Sequence, residues 1–252
     1  MRRAIVLGIG LSIMVAMLAA PAGASAAKCF GKKPTIKGTN GNDKITGTPG
    51  NDVIVAKDGN DTIQSKSGDD FVCLGDGNDF AGTSRGFDKI DGGKGEDEIH
   101  GGGRAGRPDP GDGDLIIGGD GDDFLDGTRG ELDDVLRGGD GDDFIQGGEL
   151  IYGGDGNDEI SPEGHVDDNH LDVVFGGDGN DVIEADFDGS PAELHGGPGS
   201  DTISGFTGDD QLFGDADDDV LDGGGGDDDL DGGLGNDSCV GDASATKTAC
   251  ET

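Results

Sequence analysis

The residues most able to do chemistry in this 252-residue chain are aspartates that recur every nine positions along much of its length. Each stands sixth in a nine-residue unit that approaches the form Gly-Gly-x-Gly-x-Asp-x-U-x, where U is usually aliphatic. Glycine allows positive φ, so backbone carbonyls can converge, and calcium prefers such carbonyl and carboxylate oxygens. The pattern therefore predicts repeated calcium sites, with these candidate ligands: Asp43, Asp52, Asp61, Asp70, Asp79, Asp88, Asp97, Asp123, Asp143, Asp158, Asp181, Asp201, Asp210, Asp219, Asp228 and Asp237.

The last three positions of each unit predict a short strand with one side chain pointing inward. Burying one large apolar side chain per unit is worth roughly 1.5–3 kcal/mol. Ordering nine backbone residues costs on the order of 9–18 kcal/mol. We therefore expect the chain to be largely disordered without calcium and to fold when calcium binds. The predicted inward residues are Ile45, Ile54, Ile63, Val72, Ala81, Ile90, Ile99, Leu125, Ile145, Ile160, Ile183, Ile203, Leu212, Leu221, Leu230 and Cys239.

Four complete units begin at Gly118, Gly138, Gly153 and Gly176, and read GGDGDDFLD, GGDGDDFIQ, GGDGNDEIS and GGDGNDVIE. In these units the chain resembles the hemolysin-type (RTX, repeats-in-toxin) calcium-binding nonapeptide family, and the resemblance covers roughly residues 38–240. It implies an all-β fold, a right-handed parallel β-roll with two units per coil. It also implies that calcium lies between loops stacked on the same edge, shared by the sixth-position aspartates of successive coils.

Between residues 101 and 195 alternate units depart from the repeat. The irregular units span 101–117, 127–137, 147–152, 162–175 and 185–195. With two units per coil, all irregular loops would lie on one edge of the roll. The other edge would then carry an unbroken column of aspartates from Asp43 to Asp237. This column would bind on the order of ten calcium ions, one between each adjacent pair of loops.

The irregular edge is predicted to hold calcium only near its ends, around Asp52, Asp70 and Asp88 and around Asp210 and Asp228. Its loops 101–112 and 162–172 are candidates for contact with a partner. Outward residues of the neighbouring strands would form an apolar stripe on one sheet, which indicates either a docking surface or cover by the insertions. The stripe consists of Leu115, Ile117, Val135, Leu150, Tyr152, Val173 and Phe175.

The charge of the chain limits its partners. Asp and Glu number 55 against 17 Lys and Arg, for a net charge of -38, and 46 of the acids are Asp. Asp favours turns and Glu favours helices, so an acidic helical protein is excluded. Nucleic acid and anionic membrane are poor partners for such a surface. Calcium ions and a cell-surface or matrix component are the partners that remain.

The N-terminus predicts export from the cell. Arg2 and Arg3 precede an apolar run and then small residues that fit an A-x-A cleavage site, which predicts a secretory signal peptide over residues 1–26. Residues 27–37 would form an N-terminal cap segment and residues 241–252 a C-terminal capping tail. The protein is thus predicted to be secreted.

Four cysteines follow the predicted signal peptide, an even number that suggests two disulfides in an exported protein. Their spacing suggests one bond between Cys29 and Cys73 and another between Cys239 and Cys250. A zinc site is the alternative, but the chain has no C-x-x-C pair to support it.

Signals for catalysis are weak. Residues 82–86 match G-x-S-x-G but lie within the repeats, without strand–turn–helix context. His165 and His170 could join carboxylates on a transition metal, although a solvated loop is the simpler interpretation. No H-E-x-x-H motif occurs. We therefore expect no enzyme, but a structural or interaction module outside the cell. The alternatives are an adhesin or matrix component and a polysaccharide-modifying enzyme, which is disfavoured because the repeats leave no room for a catalytic domain.

Overall fold

The structure is a computed structural model that describes residues 28–102, 113–127, 134–162, 171–185, 187 and 189–251. Every regular element in these ranges is a β-strand. The predicted signal peptide, His165 and His170, and the greater part of loops 101–112 and 162–172, lie outside the described residues. Within the described ranges, no helix is long and apolar enough to cross a membrane.

The strands form two parallel sheets, and successive strands alternate between them. The first sheet contains β1 (Ile36–Lys37), β3 (Val53–Asp58), β5 (Phe71–Asp76), β7 (Lys89–Lys94), β9 (Leu115–Asp120), β11 (Val135–Asp140), β13 (Leu150–Asp155), β15 (Asp172–Asp178), β17 (Ala192–Pro198), β19 (Gln211–Ala216), β21 (Asp229–Asp231) and β23 (Thr246–Thr248). The second contains β2 (Lys44–Thr46), β4 (Thr62–Gln64), β6 (Phe80–Gly82), β8 (Glu98–His100), β10 (Phe124–Asp126), β12 (Phe144–Gln146), β14 (Glu159–Ser161), β16 (Val182–Glu184), β18 (Thr202–Ser204), β20 (Val220–Asp222) and β22 (Ser238–Val240).

Each coil therefore contributes one strand to each sheet, which confirms the predicted parallel β-solenoid with two units per coil. The inward positions stay in register through the irregular part of the chain: Leu125 lies opposite Ile99 on one side and Ile145 on the other. Equivalent aspartates of adjacent coils are 18 residues apart in the regular region, 26 apart from Asp97 to Asp123, and 15 apart from Asp143 to Asp158. Insertions and deletions thus change the length of a coil without shifting its strands.

The core is one continuous cluster of aliphatic side chains between the two sheets, and each sheet contributes a row to it. All the predicted inward residues are buried there except Cys239, which is partly buried against them. The irregular units supply further buried residues at the same strand position: Ile116, Leu136, Ile151, Val174 and Leu194. Because one side chain of each triplet faces inward, its two neighbours face the outer surface of the sheet.

At the N-terminal end, the predicted disulfide between Cys29 and Cys73 is present. Cys29, Val55 and Cys73 form a second apolar cluster, apart from the main core, with Phe30 and Phe71 packed against it. Val55 and Cys73 each follow an inward residue in their strands, so they lie on the outer face of the first sheet. The segment that begins at Lys28 therefore covers the outside of the first coils.

At the C-terminal end, the predicted disulfide between Cys239 and Cys250 is also present. Strand β23 of the tail pairs with β21 and places Lys247 opposite the core residue Leu230. The Lys247 ammonium group donates a hydrogen bond to the carbonyl of Cys239, 3.2 Å away. The tail thus pairs with the last coil, with a charged residue where earlier coils have an aliphatic one.

Candidate metal centre

Eleven of the candidate aspartates form a column on one edge of the solenoid, and each immediately precedes a strand of the second sheet. Within this first column, the backbone N–H of each aspartate donates to Oδ1 of the aspartate in the next coil, over 2.7–3.0 Å. Asp123, Asp143 and Asp158 therefore lie on the same edge, which confirms the predicted coil register. The members are Asp43, Asp61, Asp79, Asp97, Asp123, Asp143, Asp158, Asp181, Asp201, Asp219 and Asp237.

The opposite edge carries a second column, which contains the remaining candidates Asp52, Asp70, Asp88, Asp210 and Asp228. The N–H to Oδ1 bond joins Asp52 to Asp70 and Asp70 to Asp88, and also joins Asp210 to Asp228. The sixteen predicted ligands thus fall into two columns, divided as the alternation of regular and irregular units predicts.

Sequence reasoning missed members of this second column. The N–H of Asp88 donates to Oδ1 of Asp114, and the N–H of Asp114 donates to Oδ1 of Asp134, over 2.8 and 2.6 Å. Both are buried, as is Asp172 further along the edge. A usable signal was present, because each of these acids directly precedes a strand triplet of an irregular unit. The column is interrupted at Ala192, whose N–H donates to Oδ1 of Asp210.

The second carboxylate oxygen, Oδ2, is the feature of both columns that points to a bound cation. In most members this atom is buried and accepts no hydrogen bond from any described residue. Buried polar atoms are otherwise nearly always paired, so a row of unpaired carboxylate oxygens indicates a missing positive partner. The atoms belong to Asp61, Asp79, Asp97, Asp123, Asp143, Asp158, Asp181, Asp201, Asp219 and Asp237 in the first column and to Asp70, Asp88, Asp210 and Asp228 in the second.

Burial also disturbs the ionisation of these groups. Desolvation raises the pKa of Asp123 to about 8, and the negative charges of Asp97 and Asp143 raise it further, against the opposing hydrogen bond from the backbone of Asp97. Desolvation likewise raises the pKa of Asp143 and of Asp158 to about 7. A row of ionised carboxylates at neutral pH is therefore costly unless a cation lies among them.

In the second column, desolvation raises the pKa of Asp88 to about 8 and also raises the pKa of Asp70. The hydroxyl groups of Thr83 and Ser65 lie close enough to oppose these rises, but neither completes a hydrogen bond to Oδ2. The same need for a positive partner therefore applies to both edges.

The glycines of the repeat make room for this arrangement. A Cβ atom on Gly118 would collide with Oδ2 of Asp123, five residues later, so the first position of the loop must lack a side chain for the carboxylate to fold back over it. A Cβ on Gly119, which has φ of 129°, would collide with the carbonyl oxygen of Gly93 in the preceding coil. Adjacent loops thus stack backbone against backbone, which leaves carbonyl oxygens between them.

This geometry suits calcium better than a transition metal. Among the described residues, no group of three His, Cys, Asp or Glu side chains converges as a metal site. A cation between two loops would instead be held by aspartate Oδ2 atoms and by backbone carbonyls, an all-oxygen set of the kind that calcium takes. The residues present therefore fit calcium, and they would hold it between coils.

In three aspartates of the columns, unlike the members with an unpaired Oδ2, another group of the protein donates a hydrogen bond to this atom. Thr39 donates to Asp43 from both its N–H and its hydroxyl group, and Thr48 does the same to Asp52. In the second column, Oδ2 of Asp114 accepts from the N–H of Gly102, 3.0 Å away. The first loop on each edge thus satisfies its own carboxylate.

The last loop of the first column has a partner that the sequence did not reveal. The N–H of Asp237 donates to Oε2 of Glu251 over 2.6 Å, in the way that earlier members donate to the next aspartate. Glu251 reaches this place because it forms a bridge with Ser238 directly after the Cys239–Cys250 disulfide. Its side chain therefore ends the column in place of a further aspartate.

The comparison with protein families agrees with the geometry. The family described as RTX calcium-binding nonapeptide repeat matches residues 35–63, 46–81, 74–103, 111–131, 130–160, 150–163, 171–188, 193–221 and 204–239, most of the chain. The chain belongs to this RTX repeat family. No individual curated protein matches the chain. Calcium binding by this RTX solenoid follows from the family, and the two aspartate columns are consistent with it.

Proposed function

We propose that this RTX protein is a secreted calcium-binding protein whose solenoid folds when several calcium ions bind, and that it acts outside the cell as a structural or interaction module, without catalytic activity. The observation that carries the proposal is the first column, in which ten buried carboxylates present unpaired Oδ2 atoms to the space between adjacent loops. Calcium bound there would neutralise the column and join each coil to the next.

The energetics of the repeat support coupled folding and binding. Each triplet places one aliphatic side chain in the core, while each loop buries a carboxylate that lacks a positive partner. Removing the cation leaves uncompensated buried charge, which is strongly destabilising. A ligand that binds only the folded state shifts the equilibrium toward that state. Calcium at the millimolar concentrations found outside cells would therefore favour the folded form.

Far-UV circular dichroism tests this proposal. We expect a largely disordered spectrum in chelator at pH 8, β-structure with compaction in millimolar calcium, and no such change in the same concentration of magnesium. Magnesium should not induce folding, because it requires six ligands in near-ideal octahedral geometry at short distances, which flexible loops of carbonyl ligands do not provide. Identical spectra in chelator and in calcium would contradict the proposal.

Both disulfides support an extracellular location, since such bonds persist mainly in oxidising compartments. The predicted signal peptide of residues 1–26 is consistent with that location. Fractionation of the producing cells, with N-terminal sequencing of the exported chain, tests secretion directly. Retention in the cytosol with free thiols would contradict it.

An adhesin or matrix component is the second candidate, favoured by the outer face of the first sheet. Arg137, Tyr152, Phe175, His195 and Phe213 form one continuous stack there, with separations of 4.5–5.2 Å between neighbours. Beside it runs an aliphatic row in which Val135 pairs with Leu115 and Leu150, and Leu150 pairs with Val173. Half-exposed apolar rows on so acidic a protein are typical of a docking surface.

The substitution Tyr152→Asp tests this second candidate. It places a charge in the middle of the stack, so we expect reduced self-association or reduced capture of a cell-surface partner, measured by sedimentation and by calcium-dependent pull-down. Thr202→Asp, on the outer face of the second sheet, is the control with the same new charge. A folded Tyr152→Asp protein that keeps all association would count against docking.

A further inference from the structure

The charge of the protein is distributed unevenly along the solenoid. Residues 28–94 contain ten acidic and ten basic residues, whereas residues 95–252 contain 45 acidic and five basic ones. The first coils are therefore neutral, and the remainder carries the whole negative charge. The carboxylates Asp43 and Asp52, which begin the two columns, also have protein donors to Oδ2. Both features indicate that the N-terminal coils depend less on added cations.

Lys66 places a positive charge directly against a loop carbonyl of the second column. Its ammonium group donates a hydrogen bond to the carbonyl oxygen of Gly47 over 2.7 Å. Gly47 is the first residue of the loop that ends at Asp52, and Lys66 is the second residue of the next loop on that edge, which ends at Asp70. The lysine thus reaches back from one loop to the preceding one, across the interval between coils.

Two oxygen atoms that could bind calcium in this interval are already engaged by the protein. Lys66 donates a hydrogen bond to the carbonyl oxygen of Gly47, and Thr48 donates to Oδ2 of Asp52 from both its N–H and its hydroxyl group. The N–H of Asp52 donates to Oδ1 of Asp70, as in every other interval of regular loops. A calcium ion entering here would have to displace an ammonium group and two hydrogen bonds.

We propose that Lys66 supplies the cation for the first interval of the second column, so that the loops 47–52 and 65–70 pack together without calcium. The inference rests on the proposed function, because it assigns to a side chain the role that calcium has between other loops. Together with the Cys29–Cys73 disulfide and its apolar cluster, the lysine gives the first coils a fold that does not need calcium, on which the acidic coils add as calcium binds.

Lys57 is the matched comparison for Lys66. It occupies the same second position in the loop 56–61 on the other edge, and both lysines have positive φ, 96° and 79°. In later loops this position is held by residues such as Gly75 and Gly93, which adopt positive φ without steric cost. Only the Lys66 ammonium group makes a hydrogen bond to a preceding loop within the described residues. Glycine is therefore equally compatible with the backbone conformation at both positions.

The first experiment counts calcium ions. The full chain, Lys66→Gly and Lys57→Gly are dialysed to equilibrium at saturating calcium, and bound calcium is measured by atomic absorption, with circular dichroism as the check of folding. We expect Lys66→Gly to bind one more ion than the wild type and Lys57→Gly to bind the same number. An unchanged or smaller number for folded Lys66→Gly overturns the inference but not calcium binding. A wild type that binds no calcium overturns the proposed function as well.

The second experiment measures amide hydrogen exchange in chelator. In the wild type and in Lys57→Gly, we expect the amides of β3 and β5 to exchange at least tenfold more slowly than those of β13. In Lys66→Gly that difference should be lost, and millimolar calcium should slow the exchange of β3, β5 and β13 alike. Equal exchange of β3, β5 and β13 in the wild type, or undiminished protection in Lys66→Gly, overturns the inference.

Discussion

Acidification should fold the calcium-free chain, because the aspartate columns can accept protons in place of calcium. Six column members have pKa values of about 7–8 in the folded structure, compared with the ordinary value of 3.8: Asp88, Asp97, Asp123, Asp143, Asp158 and Asp201. Desolvation is the main cause in each. A raised carboxyl pKa means that the folded state binds protons more tightly than the unfolded state. Protonation of these aspartates therefore stabilises the folded state. This stabilisation is complete below pH 3.8 and is lost as the pH rises toward 8.

The size of the effect follows from the number of protons taken up. At pH 5.5 these six groups are protonated in the folded state and ionised in the unfolded chain, so folding takes up about six protons. Six independent protons would raise the free energy of unfolding of the calcium-free form by ~8 kcal/mol for each pH unit of acidification. Because neighbouring carboxylates titrate as a coupled row and solvent screens part of their charge, we expect a rise of a few kcal/mol, roughly half that limit, for each pH unit. Complete domains are stable by about 5–15 kcal/mol, so two pH units are enough to change the folded population of the calcium-free chain.

The assay is circular dichroism in chelator between pH 8 and pH 5.5, a range that stays above the isoelectric point of about 4.1. We expect a disordered spectrum at pH 8 and β-structure at pH 5.5, while in calcium the spectrum should be folded at both. Calcium added at pH 5.5 should also release protons, because the ion displaces them from the columns. A chelated chain whose spectrum is the same at both pH values, together with no proton release, would refute the reasoning.

Three further predictions concern single residues. Asp143→Asn should raise the calcium concentration needed for folding about tenfold or more, by loss of a charged ligand, whereas Asp142→Asn, its exposed neighbour, should have little effect in the same titration. Ile145→Ala should lower the free energy of unfolding of the calcium form by about 3 kcal/mol in urea, and a loss below 1 kcal/mol would contradict its place in the core. Glu251→Ala should speed amide exchange at Asp237, which loses its acceptor, and unchanged exchange would show that Glu251 does not end the column.

The sequence predicted the parts of the fold that follow from periodicity. A period of nine with one aliphatic residue per unit determines which side chains face inward, and residues such as Leu125 and Ile145 are buried where expected. The alternation of regular and irregular units determined the edge on which Asp123 and Asp143 lie. These predictions succeeded because each repeat contacts mainly its neighbours in adjacent coils, so local pattern and long-range structure coincide.

The residues that sequence reasoning missed are those whose role depends on contacts between coils of unequal length. Asp114 and Asp134 follow insertions, so counting in nines does not reach them, although their backbone bonds place them in the second column. Glu251 lies outside the repeats and reaches the first column only because a disulfide returns the tail to the last coil. The role of Lys66 depends on the conformation of one long side chain, which no nine-residue pattern encodes.

The two edges of the solenoid thus have different roles. The edge with the first column keeps the coils in register, and the opposite edge contains the loops that vary in length. The turns that carry the first column lead from a strand of the first sheet to the next strand of the second, and all keep the aspartate link even where a coil has 15 or 26 residues. All the extra or missing residues lie on the returning turn. The entropy of closing a loop grows slowly with its length, so longer returning turns cost little. Loss of an aspartate from the first column breaks the contact between two coils directly. Substitutions in the first column should therefore affect calcium-dependent folding far more than changes in the length of the opposite loops.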